Sequence, residues 1–99
     1  MRNMTKEEII ELLVQRGYME NNAKLVAEEI LTLHPSLQPL WEHWVNDPTV
    51  CDDFEAEGFS IRFFMEKQRM AYPAALLSVD WILKEPEAAV KSIKKTGKA

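Results

Sequence analysis

From Thr5 onward, apolar residues recur at steps of three and four, the spacing of one face of an α-helix. Ile9, Ile10, Leu12, Leu13 and Val14 form a wide first stripe. Before it, Thr5 and Glu8 fit a capping box, and Met4 and Ile9 occupy the positions of a hydrophobic staple. Gly17 ends the helix, because glycine takes the left-handed conformation at least cost. A second stripe of Ala23, Val26, Ala27, Ile30 and Leu33 predicts a helix that starts at Asn21 or Asn22, both good caps. That helix stops at His34, since Pro35 disfavours helical geometry in the residue before it.

Ser36 is the expected cap of a third helix, with Pro39 in its first turn and Leu37, Leu40, Trp41, Trp44 and Val45 on one face. Asp47-Pro48 breaks it. Residues 47–58, "DPTVCDDFEAEG", read as an acidic loop pinned by Val50 and Phe54. Ser60 caps a fourth helix over 61–70, and Ala71-Tyr72-Pro73 makes a turn. A fifth helix spans about 73–84, and Glu85-Pro86 restarts a sixth that Gly97 ends. No segment alternates strictly enough for a strand. The expectation is an all-α, compact bundle of five to six short helices in a single domain over 1–99, with a basic flexible tail at 96–99.

The fifth helix poses the sharpest question. It follows another helix after a short turn, as the recognition helix of a helix-turn-helix does. Base reading needs Arg, Lys, Asn or Gln on an exposed face. Residues 74–83 offer Ala, Leu, Val, Trp and Ile almost all round, and Asp80 repels phosphate. A helix that is apolar on most sides is a buried spine. Arg62, Lys67 and Arg69 on the fourth helix leave a weak phosphate contact open.

Charge adds what hydropathy cannot. The net charge is −4, but Lys and Arg are missing between Lys24 and Arg62, where eight acids lie: Glu28, Glu29, Glu42, Asp47, Asp52, Asp53, Glu55 and Glu57. The last nine residues hold four lysines and no acid. The single cysteine, Cys51, excludes an intramolecular disulfide. The opening "MRNMTKEEII" carries charges where a secretory leader needs an apolar run, and no stretch reaches the roughly 20 apolar residues of a membrane span. A cytoplasmic protein without a membrane segment is expected.

The segments "EGFS" and "YPAALLSVDWILKEPEAAVKSIKK", with "LLVQRGYM" near the start, resemble a family of short Firmicutes proteins. In that family a Glu-Gly-aromatic-Ser/Thr start leads to a helix, a turn, an Ala/Leu-rich helix and an acid-Pro-Glu restart. The resemblance implies the all-α fold. It implies no active site, because the matching motifs are caps and core residues and the family has no established activity.

Candidate chemistry is sparse. His34, His43, Cys51, Asp52 and Asp53 are ligand types, but they lack the paired spacing of a zinc site, and "DDFEAE" lacks the glycine of a calcium loop. Cys51 with His43 is a thiol beside a base, yet Asp52 and Asp53 would raise the thiol pKa, against activation. The glycines sit at helix edges, so there is no phosphate loop. Neither a cofactor nor an enzymatic activity is expected. Nine aromatics are many for a small helical domain; a core can take them all, or one of Trp41/Trp44 and one of Phe63/Phe64 is open to face solvent.

The reading is a non-catalytic helical adaptor or regulator that contacts another protein, one with a basic surface, through Asp52, Asp53, Glu55, Glu57, Trp41 and Phe63. The alternatives are an acidic nucleic-acid mimic and a degenerate helix-turn-helix protein.

Overall fold

Thr5 opens the first helix as its sequence demands. In a computed structural model that describes residues 4–97, helix α1 spans Lys6–Gln15. The Thr5 hydroxyl accepts the Glu8 amide at 3.2 Å, and the Glu8 carboxylate accepts the Thr5 amide at 2.9 Å. Both bonds satisfy amides that a helix start leaves orphaned. At the other end Gly17 has φ +102°, and the amides of Tyr18 and Gly17 donate back to the carbonyls of Leu13 and Val14. These are the two bonds of a Schellman stop.

Helix α2, Glu20–Ile30, begins before the predicted asparagines. Met19 stands at its N-cap without a side-chain bond, so Asn21 and Asn22 lie inside the helix rather than capping it. It also ends before His34, because Leu31, Thr32 and Leu33 unwind into a tight turn closed by amides donating three to four residues back. Helices α1 and α2 pack as an antiparallel pair, with Ile9, Leu13, Ala23, Ala27 and Ile30 buried, and Lys6 bridges Glu28 at 3.1 Å. Together they make one compact unit that runs to Leu33.

A second unit starts at His34. It opens with a 3-10 turn over Pro35–Leu37, followed by α3, Gln38–Asn46, with Pro39 in its first turn. Ser36 therefore sits within the 3-10 turn, where its amide donates to His34 Nδ1, and does not cap α3. Two short strands, β1 (Glu55–Ala56) and β2 (Phe59–Ser60), pair antiparallel, with Glu55 opposite Ser60 and Ala56 opposite Phe59. The acidic stretch is therefore partly a hairpin. Its strands are two residues each, too short to display any alternation.

Helix α4, Ile61–Glu66, is capped by Ser60 as expected, with the Phe63 amide on the Ser60 hydroxyl at 3.0 Å. It stops four residues early, since Arg69 takes a left-handed φ of +56° and the Met70 amide turns back to the Phe64 carbonyl. Helix α5 covers Tyr72–Lys84, and α6 follows at once over Pro86–Gly97. Residues 96 and 97 thus continue a helix rather than a tail, while 98–99 lie outside the described residues.

Helix α5 packs against α4, α6 and β1, and buries eight of its thirteen residues, including Leu76, Val79 and Ile82. It is a buried spine. An all-α fold results, and no described helix is long and apolar enough to cross a membrane.

Candidate functional site

The acidic segment is built from its own side chains. Asp47 closes a turn by accepting the Thr49 amide at 3.0 Å and hydroxyl at 2.7 Å. Asp52 reaches back to α3, where its Oδ2 lies 2.7 Å from His43 Nδ1. The Asp52 carbonyl accepts the Tyr72 hydroxyl at 2.9 Å, which ties the loop to the first residue of α5. Asp53 accepts its neighbour's amide, Phe54, at 2.9 Å and the Arg62 amide at 3.1 Å.

That last bond completes the start of α4. The Ile61 amide goes to the Phe54 carbonyl, the Arg62 amide to Asp53, and the Phe63 amide to Ser60. All three of the first amides are satisfied by the preceding segment, so this short helix offers no free N-terminus to an anion.

The hairpin tip is Glu57-Gly58, with φ +53° and +84°. Two positive φ values in a two-residue loop match the twist of the flanking strands. Glycine does this freely and glutamate does not. Glu55 and Glu57 are exposed, and no described group pairs with either.

The six residues picked out in the sequence thus divide. Asp52, Asp53, Glu55 and Glu57 share one exposed loop and hairpin. Phe63 is half-buried and joins them through Phe59 of β2, its ring centroid 5.4 Å away and edge-on. Trp41 does not join them as an exposed anchor, because it is only 6% exposed. Trp41 and Trp44 are three residues apart on one helical face, so they stack at 5.6 Å, and Trp44 stacks on Tyr72 at 6.4 Å. The phenylalanine pair does split, with Phe64 buried and Phe63 partly open.

Burial raises the Tyr72 phenol pKa, and Asp52, Cys51 and Asp53 push it further the same way. The phenol is a hydrogen-bond donor here and not a base. Cys51 is exposed, its thiol 3.8 Å from the Thr49 carbonyl, and His43 is turned to Asp52 instead of to the thiol. His34 is occupied elsewhere, its ring on Ser36 and its amide on Asp80. Among the described residues no three ligand-type side chains converge on a metal position.

Two features escaped the sequence. Asp80, read there only as a charge that repels phosphate, is 5% exposed, accepts the His34 amide at 2.8 Å and meets Lys84 at 2.9 Å. Trp81, on the buried spine, is 39% exposed. Its position next to Asp80 gave no signal, because both faces of α5 looked apolar. No family model, curated protein or solved structure compared with this chain matches it.

Proposed function

We propose that this chain is a non-catalytic protein-binding adaptor or regulator whose hairpin acids meet a basic surface on another protein. The observation that carries the reading is a division of labour among the acids. Asp47, Asp52 and Asp53 fasten the backbone by hydrogen bonds, and that fixed backbone holds the unpaired Glu55 and Glu57 in solvent. A preorganised charged surface loses little entropy on binding. Its field speeds encounter with an oppositely charged partner more than it tightens the complex. Phe63, at the edge of the Phe59/Phe64 cluster, supplies apolar contact beside the charges.

The test is capture from a lysate of the native host, followed by kinetics on the captured partner. Glu55→Gln/Glu57→Gln should lower its association rate and flatten the salt dependence of that rate. Phe63→Ala should raise the dissociation rate. A captured partner whose association rate ignores the double substitution would overturn the reading. A nucleic-acid-binding protein that loses affinity steeply with salt and is released by duplex DNA would favour the mimic instead.

A further inference from the structure

The chain has two histidines, and their hydrogen bonds give the ring nitrogens opposite roles. The Ser36 amide lies 3.1 Å from His34 Nδ1. A backbone N–H only donates, so that nitrogen carries no proton, and the ring is neutral with its proton on Nε2. At His43 the partner of Nδ1 is the Asp52 carboxylate, 2.7 Å away. An ionised carboxylate only accepts, so there Nδ1 carries the proton. His43 can hold its bond whether the ring is neutral or charged. His34 can hold its bond only while neutral.

The His34 bond caps the 3-10 turn over Pro35–Leu37, where the second unit begins. Pro35 has no amide, so the Ser36 N–H is the first that the turn must satisfy. His34 is half-buried, which leaves its ring open to solvent protons. A second acceptor is already at hand on the same residue. The His34 amide donates to Asp80 Oδ1 at 2.8 Å, and Lys84 takes Oδ2 at 2.9 Å. A carboxylate has room for about four donors, so Asp80 can take one more. The charged groups facing this point from α5 are thus Asp80 and Lys84. The 3-10 turn itself brings none, and α3, which packs on that turn, carries Glu42 and His43.

We infer that His34 is a proton-operated switch at the entry to the second unit: on taking up a proton its ring releases the Ser36 amide and turns its new Nδ1–H to the Asp80 carboxylate. Histidine is the side chain that changes charge in the middle of the pH scale. The proton comes from solvent and lands on the one atom that the cap needs bare. The exchange replaces a bond between neutral groups with a charge-assisted one, which is the stronger type. It also frees the first amide of the turn. Acid therefore binds residue 34 more firmly to α5 and loosens the turn that follows it. The loop at Asp52 keeps its bond to His43 in both states, so the response is confined to one end of the unit. The inference does not depend on the hairpin.

The experiment follows the full, nitrogen-15-labelled chain by NMR from about pH 8 to about pH 5. At the alkaline end the His34 ring should show a bare Nδ1 and a protonated Nε2. As the pH falls, the Ser36 amide signal should move in step with the His34 ring. Its protection, corrected for the intrinsic exchange rate, should drop about two- to tenfold, the worth of one ordinary hydrogen bond. At the acid end the His34 Nδ1 proton should show Overhauser contacts to the Asp80 β-protons. His34→Asn places a carboxamide oxygen near the position of Nδ1, and asparagine is a strong cap that does not titrate. In that variant Ser36 should keep its protection across the range. A His34 Nδ1 already protonated at the alkaline end, a Ser36 amide that ignores the His34 titration, an acid-state Nδ1 proton remote from Asp80, or an unchanged pH response in His34→Asn would each overturn the inference.

Discussion

Removing the Asp80 carboxylate tests how the start of the second unit is held. Asp80 is the one charged residue that is buried among the described residues. Its Oδ1 accepts the His34 amide, ahead of the 3-10 turn, at 2.8 Å. Its Oδ2 meets Lys84 one turn along the same helix at 2.9 Å. Asp80→Ala removes a hydrogen bond to a charged acceptor, worth about 1.5–3 kcal/mol net, and leaves the part-buried His34 amide without its partner. The Lys84 side chain is 37% exposed, so solvent recovers most of its share and the ion pair adds only about half a kcal/mol. The expected total is about 2–3.5 kcal/mol. Asp80→Asn keeps an oxygen for the His34 amide and loses only the charge, so about 1 kcal/mol is expected.

Urea unfolding followed by tryptophan fluorescence reads both, since Trp41 and Trp44 are buried reporters. Exchange of the His34 amide should be slow in the parent, slightly faster with asparagine and much faster with alanine. Equal losses in the two variants would mean that the ion pair, not the amide bond, carries the stability. Losses under about 0.5 kcal/mol in both would refute the anchoring argument altogether.

Four further outcomes follow from the same contacts. Leu76 is fully buried, so Leu76→Ala should cost about 2–5 kcal/mol in denaturant titration, and a loss below 1 would contradict the spine role of α5. Thr5→Ala should cost about 1 kcal/mol through the broken capping box, and an unchanged melting temperature would place the start of α1 elsewhere. Glu57→Asn should stabilise by about 0.5–1 kcal/mol, because asparagine tolerates the left-handed conformation, whereas a Glu57→Gln control gaining as much would point to charge repulsion instead. Tyr18 and Tyr72 both have raised pKa values, chiefly from burial, so the unfolded chain releases its phenolic protons first as pH rises past about 10. Stability should be full below that pH and fall above it, with tyrosinate absorbance rising together with unfolding; ionisation of both tyrosines in a still-folded chain would disprove this.

What could be read from the sequence was set locally. The Thr5/Glu8 box, the Gly17 stop, the Ser60 cap and the Glu85-Pro86 break each depend on residues within one turn of each other, and each lies where expected. The misplacements came where distant residues decide. Asn21 and Asn22 are good caps by type, but the N-cap is Met19, two residues before Asn21. Helix α4 looked long because "IRFFMEKQRM" favours helix throughout, yet Arg69 takes a left-handed φ and the Met70 amide turns back to the Phe64 carbonyl. The structural role of Asp80 was not legible because its partner, the His34 amide, is forty-six residues away. The Trp41/Trp44 stack was open to another reading only because spacing alone does not say what covers a helical face.

The acidic stretch also changes meaning once its bonds are known. Counted along the chain, eight acids without a base look like one repulsive patch. In the fold Glu28 pairs with Lys6, Asp47 closes a turn, Asp52 meets His43, and Asp53 completes the start of α4. Neutralising Asp52, Asp53, Glu55 and Glu57 together would therefore mix two effects. Asp53→Asn alone weakens the bonds to the Phe54 and Arg62 amides, and with them the platform that holds the hairpin. A slower association in the four-fold variant could then report a loosened loop as readily as a lost field. Glu55 and Glu57 lack such bonds, and their replacement changes charge while leaving the backbone fastened. The electrostatic reading stands or falls on those two side chains.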